Sequence, residues 1–135
     1  ERGFLYDSSL MDADVPYELT VSGGSLVELP IHWSLDDWEQ YCFLPGINEG
    51  VIESPAKVEE LWRLELAAMR EFGCLFTLTN HPFITGRASR VTVLDRLIDT
   101  ALEYGDVWVA PLGEIAGYVR SLDLAPRTLS QPTVD

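Results

Sequence analysis

The run Cys74 to Thr79 (CLFTLT) is almost wholly apolar, too short for a helix, and set directly between two segments of helical period. That placement constrains the chain more than any other feature. Upstream, Ser54 and Pro55 read as an N-cap and first helical residue, and Val58, Leu61, Leu64, Ala68 and Phe72 follow at spacings of three and four until Gly73. Downstream, Ser89 caps a second helix with Val91, Leu94, Leu97, Ile98 and Ala101 on one face, closed by Gly105. Val107 to Val109 (VWV) reads as another buried strand, and Pro111 opens a last helix through Leu112, Ile115, Ala116 and Val119. Earlier, Gly3 to Ser9 and Leu26 to Trp33 are candidate strands, the latter with Pro30 at an edge or a strand end. Tyr41 to Glu53, with Pro45, Gly46, Asn48 and Gly50, reads as a loop of the kind that covers a site.

Buried strands alternating with helices imply parallel β-α-β crossovers, so the fold class is α/β. Leu26 to Ile31, Cys74 to Leu78 and Val107 to Val109 are expected as parallel strands of one sheet. Four strands and three helices cannot close a barrel by themselves. The pattern suits a small open sheet or part of a larger barrel.

A chain of 135 residues, 47% hydrophobic, suffices for one core. Its 22 acidic against 9 basic side chains leave a formal charge of -13, which repels phosphate polymers and anionic membranes, so neither nucleic acid nor membrane is an expected partner. No run approaches the roughly 20 apolar residues that span a bilayer. Cys42 and Cys74 stand apart without a C-x-x-C pair, which suits a reducing compartment and a cytoplasmic location. Glu1 to Phe4 begin in the middle of a structured pattern, as a fragment would.

In α/β barrels, functional groups sit where strand carboxyl ends lead into helices. His81 is placed there, after the Cys74 strand and before Pro82. An imidazole at such a position can give or take a proton near neutral pH; the plainer reading is a histidine hydrogen-bonded into a loop. His32 to Trp38 (HWSLDDW) collects two aromatics, two carboxylates and an imidazole. Trp33, Asp36, Asp37 and Trp38 could line a sugar or heterocycle pocket, or Asp36 and Asp37 could simply open a helix with Trp38 in the core. Without an H-x-x-x-H or similar pair, no metal ligand set is expected in this chain. Arg87 and Arg90 could bind an anion at a helix start, or pair with the protein's own acids.

Three segments, Gly3 to Leu10 (GFLYDSSL), Leu29 to Trp38 (LPIHWSLDDW) and Leu78 to Arg87 (LTNHPFITGR), resemble in their order the NodB-homology polysaccharide deacetylases, in particular the peptidoglycan-deacetylase-like and cyclic-imide-hydrolase-like subgroup. The resemblance covers residues 1 to 121, with 122 to 135 as an extended tail, and is to the carboxy-terminal half only. It implies the corresponding part of a distorted (β/α) barrel, with Leu78 and His81 matching the family's Leu-x-His element one position apart from its usual spacing. It further implies that His81 protonates a leaving amine, while Asp37 and Trp38 line the groove and set the histidine's environment. The family's early Asp-Asp and H-x-x-x-H motifs and its central Arg-x-Pro motif have no counterpart here. A divalent metal, zinc first, is therefore expected to take its ligands upstream, polarise an amide carbonyl and lower the pKa of the attacking water. The implied substrate is an N-acetyl sugar or a small cyclic imide, with association into a homo-oligomer. Two other readings remain: a relative that kept the barrel, lost the chemistry and serves as a binding or scaffold domain, and an unrelated small α/β domain complete at this length.

Overall fold

Alternation of apolar and polar residues in Tyr17 to Val21 (YELTV), then Ser22, Gly23 and Gly24, is a hairpin pattern, because the turn needs residues that tolerate positive φ. The computed structural model, which describes residues 3–129, shows that hairpin. Strands β2 (Tyr17–Val21) and β3 (Gly24–Glu28) are antiparallel, with Tyr17 opposite Glu28 and Val21 opposite Gly24, and Gly23 turns at φ 92°. β1 (Tyr6–Asp7) adds to β3 in parallel, giving the order β1-β3-β2. This sheet belongs to the first of two compact units, Glu1–Pro30 with Ala110–Asp135; the second is Ile31–Val109. Within the first unit, Arg127 extends along β2, donating its N–H to the Glu18 carbonyl at 2.7 Å and accepting from Thr20 at 2.8 Å. Arg127 lies in the expected tail, whose residues 130–135 are outside the described ones.

The first two expected strands are shorter or displaced. Only Tyr6–Asp7 of the Gly3 run is paired, and the Leu26 strand runs from Gly24 to Glu28, stopping before Pro30, which has no ladder N–H to give. β2 carries a pattern as legible as that of β3, and the sequence reading overlooked it.

The second unit is helical. Helices α1 (Asp37–Tyr41), α2 (Pro55–Phe72), α3 (Pro82–Thr85) and α4 (Ala88–Glu103) belong to it, while α5 (Leu112–Ser121) lies in the first unit. α2 ends as expected at Gly73, in the left-handed conformation at φ 68°. Its buried stripe is Val58, Trp62 and Leu66, facing Val93, Leu97 and Ala101 of α4, with Leu35, Tyr41, Cys42 and Ile84 completing the core. The helical period was read correctly and its phase only in part. Leu64 and Phe72 are exposed, because the stripe that contains the much larger Trp62 is the one taken inside.

The expectation of three parallel strands in one sheet is corrected here. Cys74 to Thr79 is extended and half-buried, and it meets a neighbour at a single bridge, Thr79 to Asp36. Val107 to Val109 joins no ladder among the described residues, and Trp108 and Val109 are more than half exposed. An apolar run establishes a tendency to extend. The ladder needs a partner edge alongside, and the run does not reveal where that edge is. A mixed α/β chain is what the structure shows.

Candidate active site

The His32 to Trp38 segment folds by a chain of local caps. The His32 ring nitrogen Nδ1 accepts the Ser34 N–H at 3.1 Å, a 3-10 turn covers Trp33–Leu35, and Asp36 then caps α1 by accepting the Trp38 N–H at 2.8 Å. This spends His32 on a turn and makes Asp37 the first residue of α1. The bridge to Thr79 brings that helix start beside Asn80 and His81: the Asp37 N–H donates to the Thr79 carbonyl at 3.1 Å and Thr79 donates to Leu35 at 2.8 Å.

Asp37 is completely buried, and its two oxygens take three hydrogen bonds. Oδ1 lies 2.6 Å from His81 Nδ1; Oδ2 accepts the His81 backbone N–H at 2.8 Å and the Thr85 hydroxyl at close range. Asp36 Oδ1 stands 3.7 Å from the same His81 nitrogen. The imidazole is 33% exposed and flanked by the rings of Trp38 at 5.5 Å and Phe83 at 5.9 Å, themselves edge-to-face at 6.2 Å. An ionised Asp37 can only accept, so this contact is made by a proton on His81 Nδ1, and Nε2 is left outside the pair.

His81, Asp36, Asp37 and Trp38 therefore meet at one place, as the sequence suggested. Trp33 is exposed, and Leu78 packs against the apolar core. Phe83, Thr85 and Asn80 were not singled out from sequence. Thr85 follows His81 by four residues, one helical turn, and reading Pro82 as the first residue of a short helix would have pointed to it. Arg90 spends its guanidinium on the Ile84 carbonyl at 2.9 Å and on the Tyr41 ring at 4.3 Å, so its partners are a carbonyl and a ring, where acids were expected; Arg87 is exposed.

Asp36, Asp37 and His81 each offer a ligand atom, all within 4.8 Å of one another, a convergence that sequence spacing did not reveal. In composition the trio could hold a divalent ion. Its hydrogen bonds are turned inward instead: both Asp37 oxygens are engaged by donors, and His81 Nδ1 faces Oδ1. The cluster is a carboxylate-oriented histidine.

No family model matches the chain, and no curated protein matches it. Among solved structures, 98% of the chain superposes on a candidate polysaccharide deacetylase from Mycobacterium smegmatis, at 56% identity and a TM-score of 0.93. This chain is a structural relative of the polysaccharide deacetylases. It spans 46% of the length of that deacetylase, a share that fits one half of such a protein. A PuuE allantoinase superposes over 89% of the chain and 40% of its own length, at 21% identity and a TM-score of 0.75, and supports the fold. Both names are those of hydrolytic enzymes. Cys42 and Cys74 are unpaired, and among the described residues no helix is long and apolar enough to cross a membrane.

Proposed function

We propose that the protein to which this chain belongs hydrolyses a non-peptide C–N bond, with His81 as the general acid that protonates the departing nitrogen. The observation that carries this reading is the 2.6 Å contact between His81 Nδ1 and the buried Asp37, which fixes the ring and leaves its second nitrogen to the chemistry. Likeness to a candidate deacetylase over 98% of the chain supports the reaction class. The substrate is an N-acetyl sugar or a small cyclic imide, held against the apolar faces of Trp38 and Phe83. The half-barrel nature of this chain and the divalent ion that the resemblance implies, zinc first, belong to the same proposal. That ion would take its ligands outside the Asp36, Asp37 and His81 trio.

In the full-length protein, His81→Ala is expected to lower kcat by about 10²–10⁴, the usual contribution of a positioned general acid. Metal content, measured by elemental analysis, should be unchanged. Loss of the metal together with activity would make His81 a ligand and overturn its assignment as the acid. A wild-type protein inert toward both substrate classes would favour the binding-domain reading.

A further inference from the structure

A threonine hydroxyl has one proton to give, and Thr85 Oγ1 has two oxygen neighbours. One is Asp37 Oδ2, at close range; the other is Asn80 Oδ1 at 3.0 Å. An ionised carboxylate can only accept, so the Thr85 proton points at Asp37. For the Asn80 contact to be a hydrogen bond as well, it has to be donated from the other side. Turning the Asn80 amide by half a rotation, which exchanges its nearly isosteric oxygen and nitrogen, places Nδ2–H on the Thr85 oxygen. With the amide so turned the run is one-way: Asn80 donates to Thr85, Thr85 to Asp37, and His81 Nδ1–H to the same carboxylate.

The backbone is shaped to hold it. Asn80, His81 and Thr85 come from one short turn, with Ile84 N–H and Thr85 N–H both bonded to the His81 carbonyl at 2.9 Å. Gly86 closes that turn where a Cβ would stand 2.3 Å from the Pro82 carbonyl oxygen, so only glycine fits without a shift. Among the described residues, charged or titratable groups beside the pair include Asp36, 3.7 Å from His81 Nδ1, the buried Tyr41, and Arg90, which is engaged with Ile84 and the Tyr41 ring.

We infer that Thr85 and Asn80 are positioning residues that act through Asp37 to fix the tautomer and orientation of His81. Its consequence for turnover rests on His81 being the general acid. Its consequence for the ring itself does not. The hydroxyl holds Asp37 Oδ2 in place so that Oδ1 faces His81 Nδ1; without it the carboxylate keeps one donor fewer and can turn away from the ring.

The experiment uses the full-length protein with ¹⁵N-labelled histidine, following the His81 ring nitrogens by NMR through a pH titration beside the pH profile of kcat. Wild type should show the Nδ1–H tautomer at high pH. Thr85→Val, which keeps the shape and removes the hydroxyl, should populate both His81 tautomers and lower kcat by up to about tenfold. Thr85→Ser should restore both. Asn80→Ala should loosen the tautomer in the same way to a smaller extent, and decides the matter if Thr85→Val does not fold. An Nε2–H tautomer in wild type, or folded variants whose His81 tautomer is that of wild type, would overturn the inference. The expected tautomer and its loss in the variants, in a protein that hydrolyses no amide, would sink the proposed function and leave this inference standing.

Discussion

Among the described residues each unit buries one carboxylate completely, and the two are handled in opposite ways. Asp37 has both oxygens bonded, by the His81 ring, the His81 backbone and the Thr85 hydroxyl. Glu28, in the first unit, spends Oε1 on the backbone N–H groups of Ser9 and Leu10, at 3.1 and 2.9 Å, and its Oε2 has no hydrogen-bond partner among the described residues. Burial pushes the Glu28 carboxyl above its ordinary value of 4.5, opposed by those two backbone donors and assisted by the neighbouring Asp7. Glu28 thus anchors the loop after β1 at some electrostatic cost, whereas Asp37 is furnished with donors from the very turn that carries His81. A buried carboxylate is informative about chemistry only when its partners include a group that can move a proton.

Substituting the two acids by their amides should separate these roles most sharply. Asp37→Asn replaces one acceptor by a donor facing donors, either the His81 ring or the Thr85 and His81 backbone pair. We expect a loss in kcat on the order of 10³–10⁴, as when a histidine is held in the wrong tautomer. Unsatisfied buried groups should also cost about 1–3 kcal/mol of stability, read by denaturant unfolding. A variant of near-normal activity would remove Asp37 from the mechanism.

The next largest effect concerns the turn itself. Gly86→Ala forces a Cβ against the Pro82 carbonyl, and the backbone must shift by an ångström or so; overcrowding of this kind costs about 1–3 kcal/mol. Because the turn carries His81 and Thr85, activity should fall together with stability. Gly117→Ala, in the middle of α5, meets no atom within 4 Å and serves as the control in the first unit. There alanine should raise stability slightly, since a glycine inside a helix is worth up to about 1 kcal/mol less.

Much of the site was readable in the sequence because its parts are local. Asp36 and Asp37 opening a helix, Pro82 after His81, and the Gly73 stop all follow from residues within one turn of each other. His81 meeting Asp37 across 44 residues was reached through the rule that functional groups gather at strand ends and through the family resemblance, although among the described residues the Cys74 run that the rule took for a strand makes a single bridge. Thr85 was missed because a threonine four residues after a histidine carries no signal until the backbone between them is known to be helical. The phase of α2 was partly missed for a related reason: residues spaced by three and four fit two adjacent stripes, and which is buried depends on what α4 offers opposite. Cys74 to Thr79 and Val107 to Val109 are apolar enough for strands, but pairing is a property of two segments.

Glu28→Gln tests the cost left in the first unit. A carboxyl whose folded value is raised binds its proton more tightly in the folded state, so stability falls as pH rises from 4.5 through the folded value and remains lower at neutral pH. The amide keeps an oxygen for Ser9 and Leu10 and has no charge to desolvate. At pH 7 the variant should match or exceed wild type by up to about 1 kcal/mol, with the gain vanishing below pH 4.5. A variant clearly less stable at pH 7 would mean that the charge itself holds the loop.

The smallest effect, and the one that closes the comparison, lies between two helices of the second unit. Arg96 of α4 donates to Glu59 of α2 through Nε at 2.8 Å and Nη2 at 2.5 Å, and that bond holds the Glu59 carboxyl below its ordinary value of 4.5. A depressed carboxyl has the opposite linkage from Glu28: its contribution is present above pH 4.5 and fades as pH falls through the folded value. Arg96 is half exposed, so screening leaves the pair weak despite its forked geometry. Arg96→Met, which retains the apolar stem over the helix surface, should therefore lower Tm at pH 7 only slightly, and less at 0.5 M salt than at 0.05 M. Its difference from wild type should shrink on acidification, whereas the gain in Glu28→Gln shrinks on acidification with the reverse sign. If Arg96→Met lost as much stability at pH 3.5 as at pH 7, the effect would lie in packing between α2 and α4, and the ion pair would carry none of it.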